Sequence, residues 1–265
     1  MLLCYLAILP KGDDMKAINE KWVCSTENCP PCDVFKNLAL FANLTVKEKS
    51  RFADAAQIKL YKKGQFLYME RDEAKSFYII CSGWLKLLHI TEEGEEIIIG
   101  MLTKDSITGE SSLFEQGNFA SSAQVVEDAQ ILSLPIALLK EQIRANSQMA
   151  INMLTAMTQY QRQHESQLEE YLLYTAPQRV GCFILALCPL KEQVDGVVID
   201  LPYDKTLIAT TLGMKGPTFS RALNILRDET GTRVRGTQVT IDSVKRLIKF
   251  LDGCYLHNYL RKGAD

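Results

Sequence analysis

"TTLGMKGPTFSRALNIL", residues Thr210–Leu226, decides how the chain is read. A short turn at Gly213 runs into an amphipathic helix, and Pro217 falls in its first turn, where proline's missing N–H costs no hydrogen bond. Leu207, Ile208 and Leu212 before the turn, and Phe219, Leu223 and Leu226 after it, are spaced to bury against one another. Thr218, Ser220, Arg221 and Asn224 are left on the free side. "KTLIATTLG" (205–213) reads as a first helix, "PTFSRALNILRDE" (217–229) as a second, and "TRVRGTQVTI" (232–241) as a β-hairpin. Helix, glycine-containing turn, helix and hairpin is the order of a winged helix-turn-helix.

In that frame Ser220, Arg221 and Thr218 are candidates for reading base edges. Lys205, Lys215, Arg233 and Arg235 are candidates for phosphate contacts. The alternative at this stage is a helix pair with an ordinary solvated polar face. Charge adds a weak second signal. The whole chain is −2, but from Ala176 onward there are 13 Lys/Arg against 9 Asp/Glu, or +4, leaving 17 against 23, or −6, for the rest. Such an asymmetry points to a basic, partner-binding end.

Outward from this segment, 265 residues predict two folded units. No apolar run approaches the roughly 18 residues of a membrane span, so no membrane partner is expected and a cytoplasmic protein is. The opening "MLLCYLAILP" lacks a basic flank and is followed by "KGDD" rather than a small-residue cleavage site, so a signal peptide is not expected. Met15 is an alternative first residue.

From Ile58 to Leu134 the chain is a series of β-branched and aromatic runs. "KLYKKGQFLYM", "SFYIICSGWLKLLHIT", "EEIIIGML", "SSAQVVE" and "AQILSLP" alternate with glycines and acidic turns, which predicts a small antiparallel roll. "EEGEE" around Gly94 is a hairpin signal. Beyond Pro135 the pattern is helical to Tyr174, with Pro177 expected to stop it. Met153, Met157, Tyr160, His164 and Tyr171 form one stripe; Ile151, Leu154, Leu168 and Leu172 form a second. One stripe can pack on the roll and the other on a partner helix, although both reading as ordinary core stays open. After Pro177, "QRVGCFILALC" reads as an apolar helix and "GVVIDLPYD" as a strand.

The eight cysteines read as thiols rather than a disulfide framework. Cys81, Cys182 and Cys188 lie in apolar runs and read as small buried hydrophobes. Cys24, Cys29 and Cys32 crowd into "CSTENCPPC", while Cys4 and Cys254 have no companions.

Taken together the segments resemble the CRP/FNR superfamily of bacterial transcription regulators, from about Phe35 to Phe250. "KKGQFLYMERDEAKSFYIICSGWLKL" is similar to its G-x-x-[LIVF] strand and S-G-x-[LIVW]-[KR] turn. "ITGESSLFEQGNFASSAQVVEDAQILSLP" is similar to its G-E-x-x-L-F segment, and "QRVGCFIL" and "TFSRALNIL" complete the order. The resemblance implies an α+β chain with a leader at 1–32, a cyclic-nucleotide-binding-like antiparallel β-roll at 33–148 and a dimerisation helix at 149–175. A winged helix-turn-helix follows at 176–250 and a tail at 251–265. It further implies a homodimer that binds a near-palindromic operator in double-stranded DNA and contacts RNA polymerase. Many members carry E-T-x-S-R on the reading helix, with the glutamate accepting from a cytosine amino group. This chain keeps Ser220 and Arg221 and has Pro217 in the glutamate's place.

The effector position departs from the pattern. Gly109 and Glu110 match the G-E pair that helps hold a cyclic phosphate, but the R-S pair reads Ser121–Ser122. Without a bidentate guanidinium, cyclic AMP is not the expected effector, and Glu110 is expected to cap a helix or turn. Cys29 and Cys32 have the C-x2-C spacing of iron–sulfur members, with Cys24 upstream, yet the third leader ligand and the roll cysteine of that branch fall on Leu38 and Leu132. An iron–sulfur cluster or zinc on Cys24, Cys29 and Cys32, completed by Cys81 or Cys4, stands beside inert thiols as a reading. The haem-dependent, nitric-oxide-responsive branch lacks both the arginine and the cluster cysteines; this chain is similar to it in those absences and in "TFSR". Axial candidates are His164, His89, Cys81 or a methionine.

The expected function is a DNA-binding regulator responding to a redox or gaseous signal. The alternative is a ligand-binding module whose degenerate helix-turn-helix serves protein contacts. No P-loop, dinucleotide fingerprint after a strand, HExxH or nucleophile elbow is present, so an enzyme is not expected.

Overall fold

A computed structural model describes residues 34–35, 38–114, 116–188 and 196–251. The fold is α+β, and the chain divides into two compact units, one up to Gln161 and one from Arg162. The division falls inside the long helix. The leader and its Cys4, Cys24, Cys29 and Cys32, as well as Cys254, lie outside the described residues.

In the first unit a helix, α1 (Val46–Ala55), precedes strands β1 (Gln57–Tyr61), β2 (Phe66–Tyr68), β3 (Ser76–Ile90), β4 (Glu96–Leu102), β5 (Ile107–Thr108) and β6 (Ser122–Pro135). All pair antiparallel in the order β1-β6-β3-β4, with β2 on β6 and β5 on β3. α1 starts at a capping box: the Glu48 N–H donates to Thr45 Oγ1 and the Thr45 N–H donates back to Glu48. "KLYKKGQFLYM" is broken into β1 and β2 by the turn around Gly64. "SSAQVVE" and "AQILSLP", expected as two strands, are one, because β6 runs unbroken against β3. Three register shifts between Ile80 and Leu85 bend that pair into a roll.

The period-two alternation of β3 and β6 divides the apolar side chains between two clusters. Phe77, Ile79, Leu132 and Leu134 face one that also holds Phe35, Phe41, Phe52, Leu38 and Met153. Ile80, Leu85 and Ile131 face another with Tyr68, Phe119 and Val125. Leu38 and Leu132, where the iron–sulfur branch places ligands, are thus core residues.

The helical stretch after Pro135 is two helices, α2 (Ile136–Ala145) and α3 (Ser147–Leu173). They part at Asn146, whose Oδ1 accepts from the Gln148 N–H at 2.8 Å and whose Nδ2 donates to Glu48 at 2.6 Å. Met149, Asn152 and Met153 are buried, and Asn152 Nδ2 donates to the carbonyls of Leu40 and Ala42. Met157 and Tyr171 are exposed, so the first predicted stripe mixes two faces. The inward face is 149, 152, 153 and 160, with the Tyr160 hydroxyl donating to the Ile107 carbonyl at 3.3 Å. The second stripe stays outside: Leu154 is 63% and Leu172 74% exposed.

The second unit continues from Arg162 through α4 (Ala176–Leu187), β7 (Val197–Asp200), α5 (Lys205–Thr211), α6 (Gly216–Thr230), β8 (Arg233–Arg235), β9 (Gln238–Ile241) and α7 (Val244–Phe250). Pro177 lies in the first turn of α4, behind the Thr175–Gln178 capping box and four residues after the last residue of α3. Cys182 and Cys188 are buried in the apolar helix as expected, and burial pushes the Cys188 thiol up to about 11. At Gly181 a Cβ would stand 2.9 Å from Leu251 and 3.3 Å from Leu226, which lets α6 and α7 pack closely on α4. The wing is a three-stranded sheet, β7-β9-β8, rather than a lone hairpin, because β7 pairs with β9 from Val197 to Asp200.

Candidate nucleic-acid interface and effector roll

α5 begins at Asp204, whose Oδ1 accepts from the Leu207 N–H at 2.9 Å. It ends where the Gly213 N–H bonds Thr210 and the Met214 N–H bonds Ala209, both at 2.9 Å. Gly213 takes φ +64, which lets the chain reverse before α6. On α6, Phe219, Ala222, Leu226 and Thr230 are buried, while Leu223 is half-buried. This row at spacings of three and four fastens the helix to α4 and α5, and it turns the opposite face to solvent.

Pro217, Ser220, Arg221 and Asn224 are exposed there, and Thr218 is half-buried. Arg221 Nε donates to the Pro217 carbonyl at 3.3 Å. That bond uses one of five guanidinium N–H groups and leaves the others free to point outward. Lys215 and Arg235 are exposed and Lys205 is half-buried. Arg233 is engaged: its guanidinium pairs with Asp242 at 3.0 Å. The exposed Lys245, Arg246 and Lys249 of α7 are cations missed as candidates. "VKRLIKF" carries their signal, since Val244 and Leu247 face inward and leave the three cations outside.

In the roll, Gly109 adopts φ +83, and a Cβ there would lie 2.9 Å from the Phe119 ring. Phe119 stacks on Tyr68 with centroids 3.8 Å apart, and Tyr78 lies 5.8 Å from Tyr68. The Tyr68 hydroxyl bonds Thr108, and burial drives its pKa well above the ordinary phenol value. Glu110 opens a 3-10 turn, Glu110–Leu113, in which Ser112 Oγ donates to the Gly109 carbonyl at 2.6 Å. Burial raises the Glu110 carboxyl above the usual carboxylate range.

Ser121 is half-buried and Ser122 buried. Ser122 Oγ accepts from the Glu70 N–H at 2.9 Å, and Glu70 in turn holds His89 Nδ1 at 2.9 Å. Polar groups at this end of the roll are therefore bonded to one another. His164 is exposed on α3, in the second unit. Cys81 packs against the core, and desolvation raises its thiol to about 12, which keeps it neutral and a poor ligand. Among the described residues no three His, Cys, Asp or Glu side chains group to hold a metal.

Residues 58–146 match the model of the cyclic nucleotide-binding domain and residues 178–250 that of the Crp-like helix-turn-helix domain. The chain is 26% identical to a global nitrogen regulator of Synechococcus elongatus over 70% of its length and 85% of the relative's. It is also 26% identical to a cyclic AMP receptor protein of Thermus thermophilus, over 73% and 88%. The solved structure of FixK2 from Bradyrhizobium japonicum shares the fold, with a TM-score of 0.62 at 22% identity over 73% of this chain and 96% of that one.

Proposed function

The chain belongs to the CRP/FNR superfamily of transcription regulators, and from that premise we propose a homodimer that reads a near-palindromic operator under the control of a redox or gaseous signal. The observation that carries this reading is the outward face of α6. Its apolar row is fully used in packing, and Ser220 and Arg221 are held exposed with donors to spare.

Arg221 is the main base reader, with Ser220 and Thr218 beside it. Lys205, Lys215 and Arg235 hold phosphates, and Arg233 reaches one from its pair with Asp242. The Pro217 side chain offers no hydrogen bond to a base, so the operator is not discriminated by a carboxylate at the position it faces. Ile151, Leu154, Leu168 and Leu172 recur along α3 at spacings close to a heptad and stay exposed, which suits pairing with the same helix of a second copy. RNA polymerase is the protein partner expected of the bound dimer.

Gly109, Glu110, Ser121 and Ser122 mark the effector position, but they do not suit cyclic AMP. The R-S position reads Ser121–Ser122 and so supplies no arginine, Ser122 is spent on the Glu70 backbone, and burial raises the Glu110 carboxyl. Haem fits the described residues poorly, since His89 is tied to Glu70 and His164 is exposed. A thiolate centre on Cys24, Cys29 and Cys32 is the remaining sensor we propose. Aerobic and anaerobic purification with absorption spectra and metal analysis tests it. Bound iron or zinc that is lost in Cys29→Ser supports a thiolate sensor. Protein that is metal-free under both atmospheres, or a Soret band, contradicts it.

A further inference from the structure

The turn between the two reader helices is held by a side chain from the end of α3. Tyr171 donates its hydroxyl to the Thr211 carbonyl at 2.7 Å. That carbonyl is one of those at the C-terminal end of α5 with no partner inside the helix. The Tyr171 ring lies against Gly213, where a Cβ would come within 2.6 Å of Cε1. The Arg179 guanidinium, from the first turn of α4, stands over the same ring at 5.4 Å from its centroid. One phenol thus joins α3, α4 and the turn that launches α6, all within the second unit. Tyr171 is 44% exposed, so filling the core is not its main contribution.

We infer that Tyr171 is a positioning residue for operator reading: its hydroxyl and ring fasten the turn before α6 to the end of α3, and so set the separation and angle of the two reading helices in a dimer. The inference rests on the proposed dimeric DNA binding. Twofold readers require half-sites at a fixed spacing of about one helical turn. A firm joint between the pairing helix and the reading helix makes that spacing strict. A loosened joint lowers affinity for the correct spacing and tolerates incorrect ones.

The test uses full-length protein and duplexes that the wild type selects from a random-sequence DNA pool, together with versions carrying one base pair inserted between half-sites. Tyr171→Phe keeps the ring and loses the bond to Thr211. It should bind the selected duplex about three- to tenfold more weakly and show a smaller penalty for the inserted base pair. Gly213→Ala, which strains the left-handed turn and pushes the ring away from it, should shift both quantities the same way. If Tyr171→Phe retains wild-type affinity and spacing penalty, the inference falls, even should its thermal midpoint drop. Weaker binding with an undiminished spacing penalty also overturns it, since that reports lost folded protein. A wild type that selects no sequence overturns the DNA-binding reading and the inference with it.

Discussion

The roll and the reader spend their polar side chains in opposite ways. At the effector end of the roll, Ser122 accepts from the Glu70 backbone, Glu70 holds His89, Thr108 bonds Tyr68, and Ser112 bonds the Gly109 carbonyl. Tyr68 and Phe119 stack on each other inside the second apolar cluster. On α6 the packing is done by the row Phe219, Ala222, Leu226 and Thr230, and Ser220, Arg221 and Asn224 face water. Donors held outward on a rigid helix are kept for a partner; donors consumed internally are structure. The contrast is the ground for proposing α6 as the partner-facing surface and for reading the polar groups at this end of the roll as structural.

The largest expected effect lies on the roll side. Phe119→Ala removes the ring that stacks on Tyr68 and packs on Gly109, and it should cost about 3–5 kcal/mol of stability, read by denaturant unfolding. A near-neutral result would mean that the ring sits in a ligand site rather than in core, which would break the contrast. On the reader side, Arg221→Ala should leave stability nearly unchanged while costing about 1–3 kcal/mol of specific DNA affinity. Loss of stability without loss of specificity would place Arg221 among structural residues.

A smaller effect sharpens the roll's side of the comparison. Burial raises the Glu110 carboxyl above its unfolded value of 4.5, so the folded state binds its proton more tightly. The contribution is full below that unfolded value and is lost as pH rises through the raised one. The wild type should therefore lose stability over that interval, and Glu110→Gln should flatten the loss. An unchanged slope in the variant would show that Glu110 is not the titrating group.

Much of this was legible in the residues, for identifiable reasons. Phe219 and Leu226 on α6 and the turn at Gly213 are local signals, and local periodicity announces them, although Ala222 is buried between them where Leu223 was expected and is only half-buried. The spacing of β3 announced its strand, but whether β6 was one strand or two depended on its pairing with β3, which only the sheet decides. The stripe of Met153, Met157 and Tyr171 was misread because 3.6 residues per turn let neighbouring faces share spacings of three and four. Arg233 looked like a free phosphate ligand because Asp242 is nine residues away and meets it only across the wing. Internal bonding of Ser122 to Glu70, 52 residues apart, had no local signal at all.

The central claim is tested most directly by titrating the wild-type protein against its selected duplex and a scrambled one across a range of salt concentrations. Specific binding should be about 10³-fold or more tighter than binding to the scrambled sequence, with the logarithm of affinity falling linearly with that of salt as phosphate contacts release counterions. Equal affinity for the two duplexes, or affinity indifferent to salt, would contradict it.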